Sequence, residues 1–486
     1  MIYKLRPYQE ECVKSISDYI NSDRHDPVLI VGPVGCGKSL LIAEAARLMG
    51  DKTLILQPSK ELLQQNHNKI TSYGIPATIY SASCGKKELS NMIYATLGSI
   101  KKVVGQLKEM GIRNVLIDEA HAGYSPEDGS EFMTFMNELK PKKVIGFTAT
   151  PCRLKTMSIG QVSYSQLNFI TRMRPVYFKN LIHVIQVEEM IRQGFWTPLK
   201  YETWDFNGDA LKLNSNGSEY TAESISEAVR KNGLNNLILR RLMVLKDVCR
   251  SILVFMDSVE SCNTAAEWMN AKICAGMAEV VHGGTPKKQR EAIVEGFKSG
   301  KTKVVFNYSA LGTGFDHPGL DCVIVGRPTF SFSSFYQWLG RAVRIKDGKD
   351  SALVVDCCNN SSRFGDIREL SIENYKGYGW GMFIGDKLIT NIPMGDKVTK
   401  TDLDIKAAKK DRRRGLAQGV TAAPVPGRPD HPLGSTVMTF GKYCGWMFHS
   451  IPVSYFKFIN ETFDWDNDRN KDIKEYIDFL IKNNRL

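Results

Sequence analysis

The chain has 486 residues, enough for about three domains, and its 43% hydrophobic and 24% charged residues are ordinary for a globular protein in water. No apolar run approaches the roughly 20 residues that cross a bilayer, and the opening residues lack the apolar core of a signal peptide, so we expect a cytoplasmic protein with no membrane partner. Lys and Arg number 64 against 52 Asp and Glu, and this excess of 12 positive charges favours a polyanionic partner, nucleic acid first.

Cysteine usage argues against a disulfide framework or a zinc site. The 11 cysteines are scattered and contain no Cys-x-x-Cys pair, which is typical of a reduced intracellular chain. His431, Cys444 and His449 lack the spacing of a metal site, so we predict no metal ligands there.

The first predicted element is an amphipathic helix that begins near Pro7, because Val13, Ile16 and Ile20 share one helical face. An apolar run over residues 28–31 then predicts a buried strand.

A glycine-rich segment with the spacing of a phosphate-binding loop follows this strand and precedes a helical pattern over residues 40–49. Gly35 and Gly37 let backbone amides turn inward around a polyphosphate, and the helix N-terminus adds partial positive charge. Lys38 is predicted to neutralise the β and γ phosphates of ATP, and Ser39 to ligate Mg²⁺. A glycine-rich turn without a ligand is the alternative. The predicted nucleotide contacts of the loop are Pro33, Val34, Gly35, Cys36, Gly37, Lys38 and Ser39.

Further short apolar runs at residues 53–56, 115–117 and 144–147 are separated by helical patterns and predict a parallel sheet covered on both faces. Asp118 and Glu119 directly follow one of these strands, at the edge where parallel sheets bind ligands. Asp118 is predicted to hold Mg²⁺ and Glu119 to polarise the water that attacks the γ phosphate. The alternative is a pair of solvated acids in a loop.

His121 follows these carboxylates, and Thr148 and Thr150 end the next predicted strand. A histidine in this position is often structural. Since both strands end at the same edge of the sheet, we predict that His121 bridges the hydrolysis site to the two threonines.

The patterns weaken over residues 155–233, where we place a domain boundary, with a helix over 186–192 and a loop over 207–218. A second α/β sheet without its own phosphate loop is predicted from the apolar runs 252–255, 280–282, 304–306, 323–325 and 353–355.

Two arginines follow the second sheet. Gln337, Arg341 and Arg344 are three or four residues apart, and on a helix that begins near Ser333 or Ser334 they would share one face. Such a row is often a surface salt-bridge network. With a nucleotide site in the preceding domain, we predict instead that both arginines reach across a cleft as arginine fingers, each worth about 10³ to 10⁵ in rate.

The chain then changes character. Residues 397–428 hold nine basic and three acidic residues, and several prolines follow, which predicts a basic tether that either binds phosphates or is a solvated linker. Dense aromatics over residues 439–456 and an amphipathic helix over 470–483 predict a small module, whose aromatics either stack bases or form its core.

Taken in order, several of these segments resemble the motifs of superfamily 2 helicases over roughly residues 1–360. They are Arg6-Pro7-Tyr8-Gln9, the phosphate loop, residues 58–62, Asp-Glu-Ala-His at 118–121, Thr-Ala-Thr at 148–150, residues 312–316 and Gln-x-x-Gly-Arg-x-x-Arg at 337–344. Within that superfamily, residues 148–153 and 307–318 are similar to RadD-type and related phage and restriction-enzyme translocases. The chain lacks the C-terminal zinc-binding cysteines of RadD and ends instead in a segment that resembles a short Phe-Gly-Lys-Tyr-x-Gly module.

The resemblance implies two RecA-like lobes with ATP and Mg²⁺ in the cleft and one strand of nucleic acid, DNA rather than RNA, across both. It also implies a monomer in the bacterial or virus-infected host cytoplasm, with a C-terminal module open to a protein partner. Residue by residue, it makes Arg6 and Gln9 adenine contacts, Gly314 and Asp316 nucleotide contacts, and Lys60, Thr96, Ser99 and Thr313 nucleic-acid contacts.

We therefore predict an α/β fold of two tandem RecA-like parallel-sheet domains, a basic linker and a small C-terminal α+β module. The predicted bounds are 1–200, 201–232 for a linker or insert, 233–395, 396–434 for the tether and 435–486. The predicted function is an ATP-dependent DNA helicase or translocase in replication, recombination or repair. The alternatives are an ATP-switched nucleic-acid-binding protein that separates no strands and the motor subunit of a nuclease.

Overall fold

The computed structural model describes residues 4–50, 52–159, 162–312, 315–407, 431–438, 443, 446–462 and 471–486. It divides into two compact units, one of residues 1–375 with 379–398 and one of residues 376–378 with 399–486. Thr313, Gly314, Cys444 and most of the predicted tether lie outside the described residues.

Among its described residues, the first lobe of the larger unit contains ten strands and seven helices. The strands are β1 (Val28–Val31), β2 (Thr53–Leu56), β3 (Thr78–Ser81), β4 (Lys86–Lys87), β5 (Met92–Ala95), β6 (Asn114–Ile117), β7 (Lys143–Thr148), β8 (Cys152–Ile159), β9 (Val162–Phe169) and β10 (Asn180–Val184). The helices are α1 (Pro7–Asn21), α2 (Lys38–Met49), α3 (Lys60–Ser72), α4 (Leu97–Ile100), α5 (Val104–Glu109), α6 (Glu131–Leu139) and α7 (Val187–Arg192).

The second lobe contains a further sheet and a small antiparallel extension. Its strands are β11 (Leu199–Thr203), β12 (Ile252–Phe255), β13 (Ala278–His282), β14 (Val304–Tyr308), β15 (Cys322–Val325) and β16 (Ala352–Asp356), followed by β17 (Leu370–Tyr375), β18 (Gly379–Ile384) and β19 (Lys387–Leu388). Its helices are α8 (Ala222–Lys231), α9 (Leu234–Val248), α10 (Val259–Lys272), α11 (Lys287–Lys298), α12 (Phe332–Leu339) and α13 (Asn360–Phe364).

Both large sheets have the organisation expected of RecA-like lobes, so the predicted fold class is confirmed. The first sheet has eight strands in the order β10-β1-β7-β6-β2-β5-β3-β4, parallel except for the pair β3 and β4. The second has six parallel strands in the order β11-β16-β15-β12-β14-β13. Every residue of β1, β2, β5, β6, β12 and β15 is buried, as helices on both faces require. The apolar runs in the sequence were therefore a sound strand signal.

The segment predicted as a linker, residues 201–232, is instead part of the second lobe. It contains most of β11, which pairs with β16, and the helix α8, whose Ile225 and Val229 are buried in the second core. The pattern is weak here because β11 is an edge strand with only its first residue buried, so it carries no continuous apolar run. The predicted tether from 396 likewise contains helical residues, 400–407.

The C-terminal unit has its own small core. Its described helices are α14 (Val453–Thr462) and α15 (Lys471–Lys482). Phe448, Phe456 and Tyr476 are at most 1% exposed and contact one another, whereas Trp446 is 44% exposed. These three rings belong to the core of the module, which agrees with the prediction that its aromatic side chains form a core. No helix within the described ranges is both long and apolar enough to cross a bilayer.

Lys143, at the start of β7, is a buried cation that closes the end of α1. Its Nζ lies 2.9 Å, 2.7 Å and 2.6 Å from the carbonyl oxygens of Tyr19, Ser22 and Arg24. Carbonyls at a helix C-terminus have no partner within the helix, and a cation there is favourable.

Lys143→Met should therefore lower the free energy of unfolding by about 3 kcal/mol, since three hydrogen bonds to a charged group are lost. Urea titration measures this change. The same substitution at the exposed neighbour Lys142 should change stability by less than about 0.5 kcal/mol. Equal losses in the two variants would contradict the role of Lys143.

Candidate active site

The phosphate-binding loop is shaped by two glycines and held from behind by α1. Gly35 and Gly37 both have φ of +82°, a conformation that other residues rarely adopt. A Cβ atom on Gly37 would also lie 2.5 Å from the side-chain nitrogen of Gln9. That nitrogen donates to the Cys36 carbonyl at 2.8 Å, and the Tyr8 hydroxyl donates to the same carbonyl at 3.2 Å. The loop is therefore fixed by tertiary contacts.

A cleft of about 500 Å³ opens in front of this loop and receives side chains from both lobes. The predicted site residues that line it are Arg6, Gln9, Pro33, Val34, Gly35, Gly37, Lys38, Ser39, Asp118 and Glu119 from the first lobe, and Asp316, Gln337, Arg341 and Arg344 from the second. Cys36 belongs to the loop, but its side chain is buried behind it. His121 does not line the cleft itself, but it contacts Glu119, which does.

Lys38 and Glu119 form the central ion pair of the cleft, with Nζ and Oε1 2.5 Å apart. Burial alone would raise the pKa of Glu119, but the charge and hydrogen bond of Lys38, together with the charge of Arg341, outweigh burial and lower this pKa. Burial would lower the pKa of Lys38, and the carboxylates of Glu119 and Asp118 outweigh it, so that this pKa is raised. Both groups are therefore charged at neutral pH.

Glu119 also has features of a group held for a reaction. Its φ is +46°, in the left-handed region, which is a strained conformation for a side chain of this kind. Its Oε2 atom is buried and has no hydrogen-bond partner among the described residues; His121 Nδ1 lies 3.4 Å from it. A buried, unpaired acceptor can take a proton or hydrogen bond from water.

Ser39 and Asp118 meet through a residue that the sequence motifs did not indicate. The Ser39 hydroxyl donates to Oδ1 of Asn66 at 2.6 Å, and Nδ2 of Asn66 donates to Asp118 at 2.9 Å. Burial raises the pKa of Asp118 to about 6. A hydroxyl and a carboxylate joined in one hydrogen-bonded cluster are oxygen donors of the kind Mg²⁺ prefers, so the residues present fit that ion.

His121 connects the carboxylates to both threonines, directly in one case and through the second lobe in the other. Its Nδ1 lies 2.8 Å from the Thr148 hydroxyl, and its Nε2 lies 3.3 Å from the hydroxyl of Ser333. Ser333 in turn lies 3.1 Å from the Thr150 hydroxyl. Ser333 belongs to α12, so this chain of polar contacts crosses from one lobe to the other.

The predicted helical face of the two arginines is wrong. α12 ends at Leu339 with Gly340 as its C-cap; Arg341 lies in the turn beyond it and Arg344 in the irregular segment that follows. A Cβ atom on Gly340 would lie 2.6 Å from Val34 of the phosphate loop, so Gly340 packs directly against that loop and leaves no room for a side chain. Arg341 and Arg344 nevertheless both line the cleft.

The two guanidinium groups have different partners. Arg341 donates to the carbonyls of Phe315 at 2.5 Å, Gly312 at 3.0 Å and Gln337 at 3.3 Å. Arg344 forms an ion pair with Asp316. Burial lowers the pKa of each arginine to about 10, so both remain protonated at neutral pH. Arg341 anchors a loop, whereas the ion-pair partner of Arg344 is exposed, so a ligand can replace it.

Two aromatic side chains, Phe195 and Tyr73, also line the cleft. The guanidinium carbon of Arg6 lies 4.6 Å from the centre of the Phe195 ring, and Phe195 lines the cleft with Tyr73 and Ile345. The indole of Trp196 donates to the carbonyl of Val34 at 2.7 Å. The aromatic pair 195–196 follows the end of α7 by two residues, and two adjacent aromatics after a helix are the only local signal of it in the sequence.

Three of the four predicted nucleic-acid contacts, Lys60, Thr96 and Ser99, do not line the cleft. Lys60 begins α3, and Thr96 and Ser99 share a hydroxyl contact of 3.2 Å at the start of α4. Ser99 also accepts from the backbone amide of Ala82 at 2.9 Å. All three predicted contacts are partly exposed.

His121 should make the protein sensitive to acid. Burial lowers its pKa from 6.5 to about 4, so the folded protein keeps it neutral while the unfolded chain takes up a proton. Stability should therefore fall as pH decreases from about 6.5 to 4. Urea unfolding over this range should show a smaller fall for His121→Gln than for the unmodified protein. Identical pH profiles would show that His121 does not contribute.

Two family models of known proteins match this chain, one in each lobe. Residues 2–153 match the family model described as type III restriction enzyme, res subunit, and residues 235–346 match the helicase conserved C-terminal domain. A 51.5 kDa protein of Lactococcus phage (isolate 7-9) is 25% identical over 332 residues, which are 68% of this chain and 65% of the phage protein. The chain thus covers less than two thirds of that relative's length.

Two further similarities extend over most of the chain. The DNA 3'-5' translocase XPB2 of Sulfurisphaera tokodaii is 24% identical over 381 residues, which are 72% of this chain and 81% of that protein. The ATP-dependent type ISP restriction-modification enzyme LlaBIII bound to DNA has a TM-score of 0.54 at 15% identity, covering 85% of this chain and 30% of the enzyme. At this identity, the structural similarity concerns the fold.

Proposed function

We propose, from the premise that this chain belongs to helicase superfamily 2, that it is an ATP-driven motor that moves along nucleic acid. One observation carries the proposal. The cleft in front of the phosphate-binding loop is lined by Lys38 and Glu119 of the first lobe and by Arg341 and Arg344 of the second. A cleft whose charged groups come from two lobes can couple phosphate chemistry to lobe movement.

The chain's own residues divide the work of hydrolysis. The phosphate-binding loop receives the phosphates of ATP, and their charge draws Lys38 away from Glu119. Glu119 is then free to accept a hydrogen bond from the attacking water. Ser39 and Asp118 would hold Mg²⁺, which supplies positive charge to the phosphate oxygens when bound. Arg344 leaves Asp316 to stabilise the charge that develops on the γ phosphate, and Arg341 holds the loop beside it.

Coupling between the lobes runs through the polar contacts of His121. Glu119 contacts His121 in the first lobe, and His121 contacts Ser333 in the second. Movement of one lobe relative to the other changes these contacts, so the state of the hydrolysis site and the arrangement of the lobes depend on each other. Nucleotide then selects between two lobe arrangements.

DNA is the favoured track, with a role in replication, recombination or repair in the bacterial or virus-infected cytoplasm. The net charge of +12 suits a polyanion. Lys60, Thr96 and Ser99 are partly exposed and available for backbone contacts. The names of the archaeal translocase and of the DNA-bound restriction enzyme support DNA over RNA.

An ATPase screen tests the proposal against single-stranded, duplex and forked DNA and the matching RNAs. We expect hydrolysis to be stimulated by DNA, and ATP to drive displacement of a third strand from a DNA triplex. ATP-dependent binding without triplex displacement would favour the recruitment alternative. Hydrolysis that no nucleic acid stimulates would contradict the motor.

A further inference from the structure

Asn66 is a buried amide on α3 that contacts both predicted Mg²⁺ ligands. Its side chain is only 3% exposed. It accepts from the Ser39 hydroxyl at 2.6 Å and donates to Oδ2 of Asp118 at 2.9 Å. None of the helicase-like sequence motifs includes this residue. Helix α3 brings it to the cleft beside the phosphate-binding loop.

The chemistry of its neighbours determines which way the amide points. A carboxylate only accepts hydrogen bonds, so the NH₂ group must face Asp118 and the carbonyl oxygen must face Ser39. The second hydrogen of the NH₂ group goes to Oε1 of Gln57, 3.1 Å away. Gln57 follows β2 and is 1% exposed. The amide is therefore held in a single orientation by three partners.

This orientation prepares both oxygen donors. Because the Ser39 hydroxyl donates its hydrogen bond to Asn66, the lone pairs of its oxygen are left for another partner. Both oxygens of the Asp118 carboxylate are held by hydrogen bonds. Oδ1 accepts from the backbone amide of Glu119 at 2.9 Å, and Oδ2 accepts from Asn66. Without Asn66, the hydroxyl loses its acceptor and the carboxylate can rotate.

We infer that Asn66 is a positioning residue for Mg²⁺, which holds Ser39 and Asp118 in the orientation that the ion requires. This inference rests on the proposed function, since it assumes a Mg²⁺-nucleotide substrate. Asn66 acts through the two ligands and does not itself touch the nucleotide. Groups that orient metal ligands in this way typically change metal affinity by about 10- to 100-fold when they are removed.

The test separates metal coupling from nucleotide binding. A fluorescent ADP carrying a methylanthraniloyl group on the ribose is titrated into the full chain in EDTA, and then at increasing Mg²⁺. For Asn66→Ala, the Mg²⁺ concentration at half-saturation should rise by about 10- to 100-fold, while the affinity for ADP in EDTA stays as in the unmodified protein. Asn68→Ala, the same change at an exposed position of α3, should alter neither value.

A second variant covers a failure to fold. Asn66→Ser leaves a small polar residue whose hydroxyl bonds back to its own helix, so it loses the same contacts with less change in polarity. Thermal unfolding reports on the fold of both variants, and the serine variant should show the same rise in the Mg²⁺ requirement.

Three results would overturn the inference: an unchanged Mg²⁺ requirement, an equal loss of ADP affinity with and without Mg²⁺, or loss of the fold in both variants, which would make Asn66 a structural residue. If the unmodified protein bound no ADP at all, the motor proposal itself would fail, and the positioning role with it.

Discussion

Arg344→Ala should lower kcat for DNA-stimulated ATP hydrolysis by about 10³- to 10⁵-fold, the range observed for arginine fingers. The guanidinium lines the cleft with Lys38 but comes from the other lobe. Burial lowers its pKa to about 10, so it carries its full charge at neutral pH. Its ion-pair partner, Asp316, has a side chain that is 51% exposed and can turn to solvent when a phosphate competes. Steady-state ATPase kinetics measure the loss, and the affinity for ADP should change little, because the charge acts on the transferring γ phosphate.

Three further variants make this prediction specific. Arg344→Lys keeps the charge but loses the planar fork, so we expect partial activity. Arg240→Ala, an exposed position on α9, should behave like the unmodified protein. Arg341→Ala should lose activity together with stability, by about 1–3 kcal/mol, because buried carbonyls that Arg341 now satisfies would be left unpaired. Full activity in Arg344→Ala would remove the second lobe from the chemistry.

Lys38→Ala should lower ATP hydrolysis by at least about 10²- to 10³-fold, the cost of removing one preorganised charge donor at a reacting group. Lys38 has two roles in the cleft. It is the cation at the N-terminus of α2, a position that favours a bound phosphate, and in the structure it is the ion-pair partner of Glu119 at 2.5 Å. Removing it would take away the proposed phosphate contact and also one of the charges that lower the pKa of Glu119.

The measurement is ATP hydrolysis with and without DNA, beside a thermal unfolding scan. Lys14→Ala, at an exposed position of α1, is the matched control and should leave hydrolysis unchanged. If DNA-stimulated hydrolysis survived in full in Lys38→Ala, the cleft would not be the site of ATP hydrolysis.

The elements of both lobes could be read from the sequence because their signals are local. A run such as Ile252–Phe255 is apolar throughout because helices cover the strand on both faces, and the structure has a strand with these same bounds. β11 carried no such signal, since it is an edge strand with one buried residue. The helix predicted through Arg341 failed for a different reason: Gly340 packs against Val34 of the other lobe, and the sequence around Gly340 contains no trace of that contact.

By itself, the sequence determined the chemistry that the chain can offer: a phosphate-binding loop shaped by Gly35 and Gly37, a pair of carboxylates at a strand end, and two arginines beyond the second sheet. Spacing along the chain encodes these features, because each depends on residues a few positions apart. Tertiary structure alone decided which groups meet. Asn66 lies between Ser39 and Asp118, and Ser333 reaches His121 from 212 positions away, because strand order and helix packing bring these residues together. Local periodicity describes which face of an element is buried, but the partner of that face is set by the order of the strands.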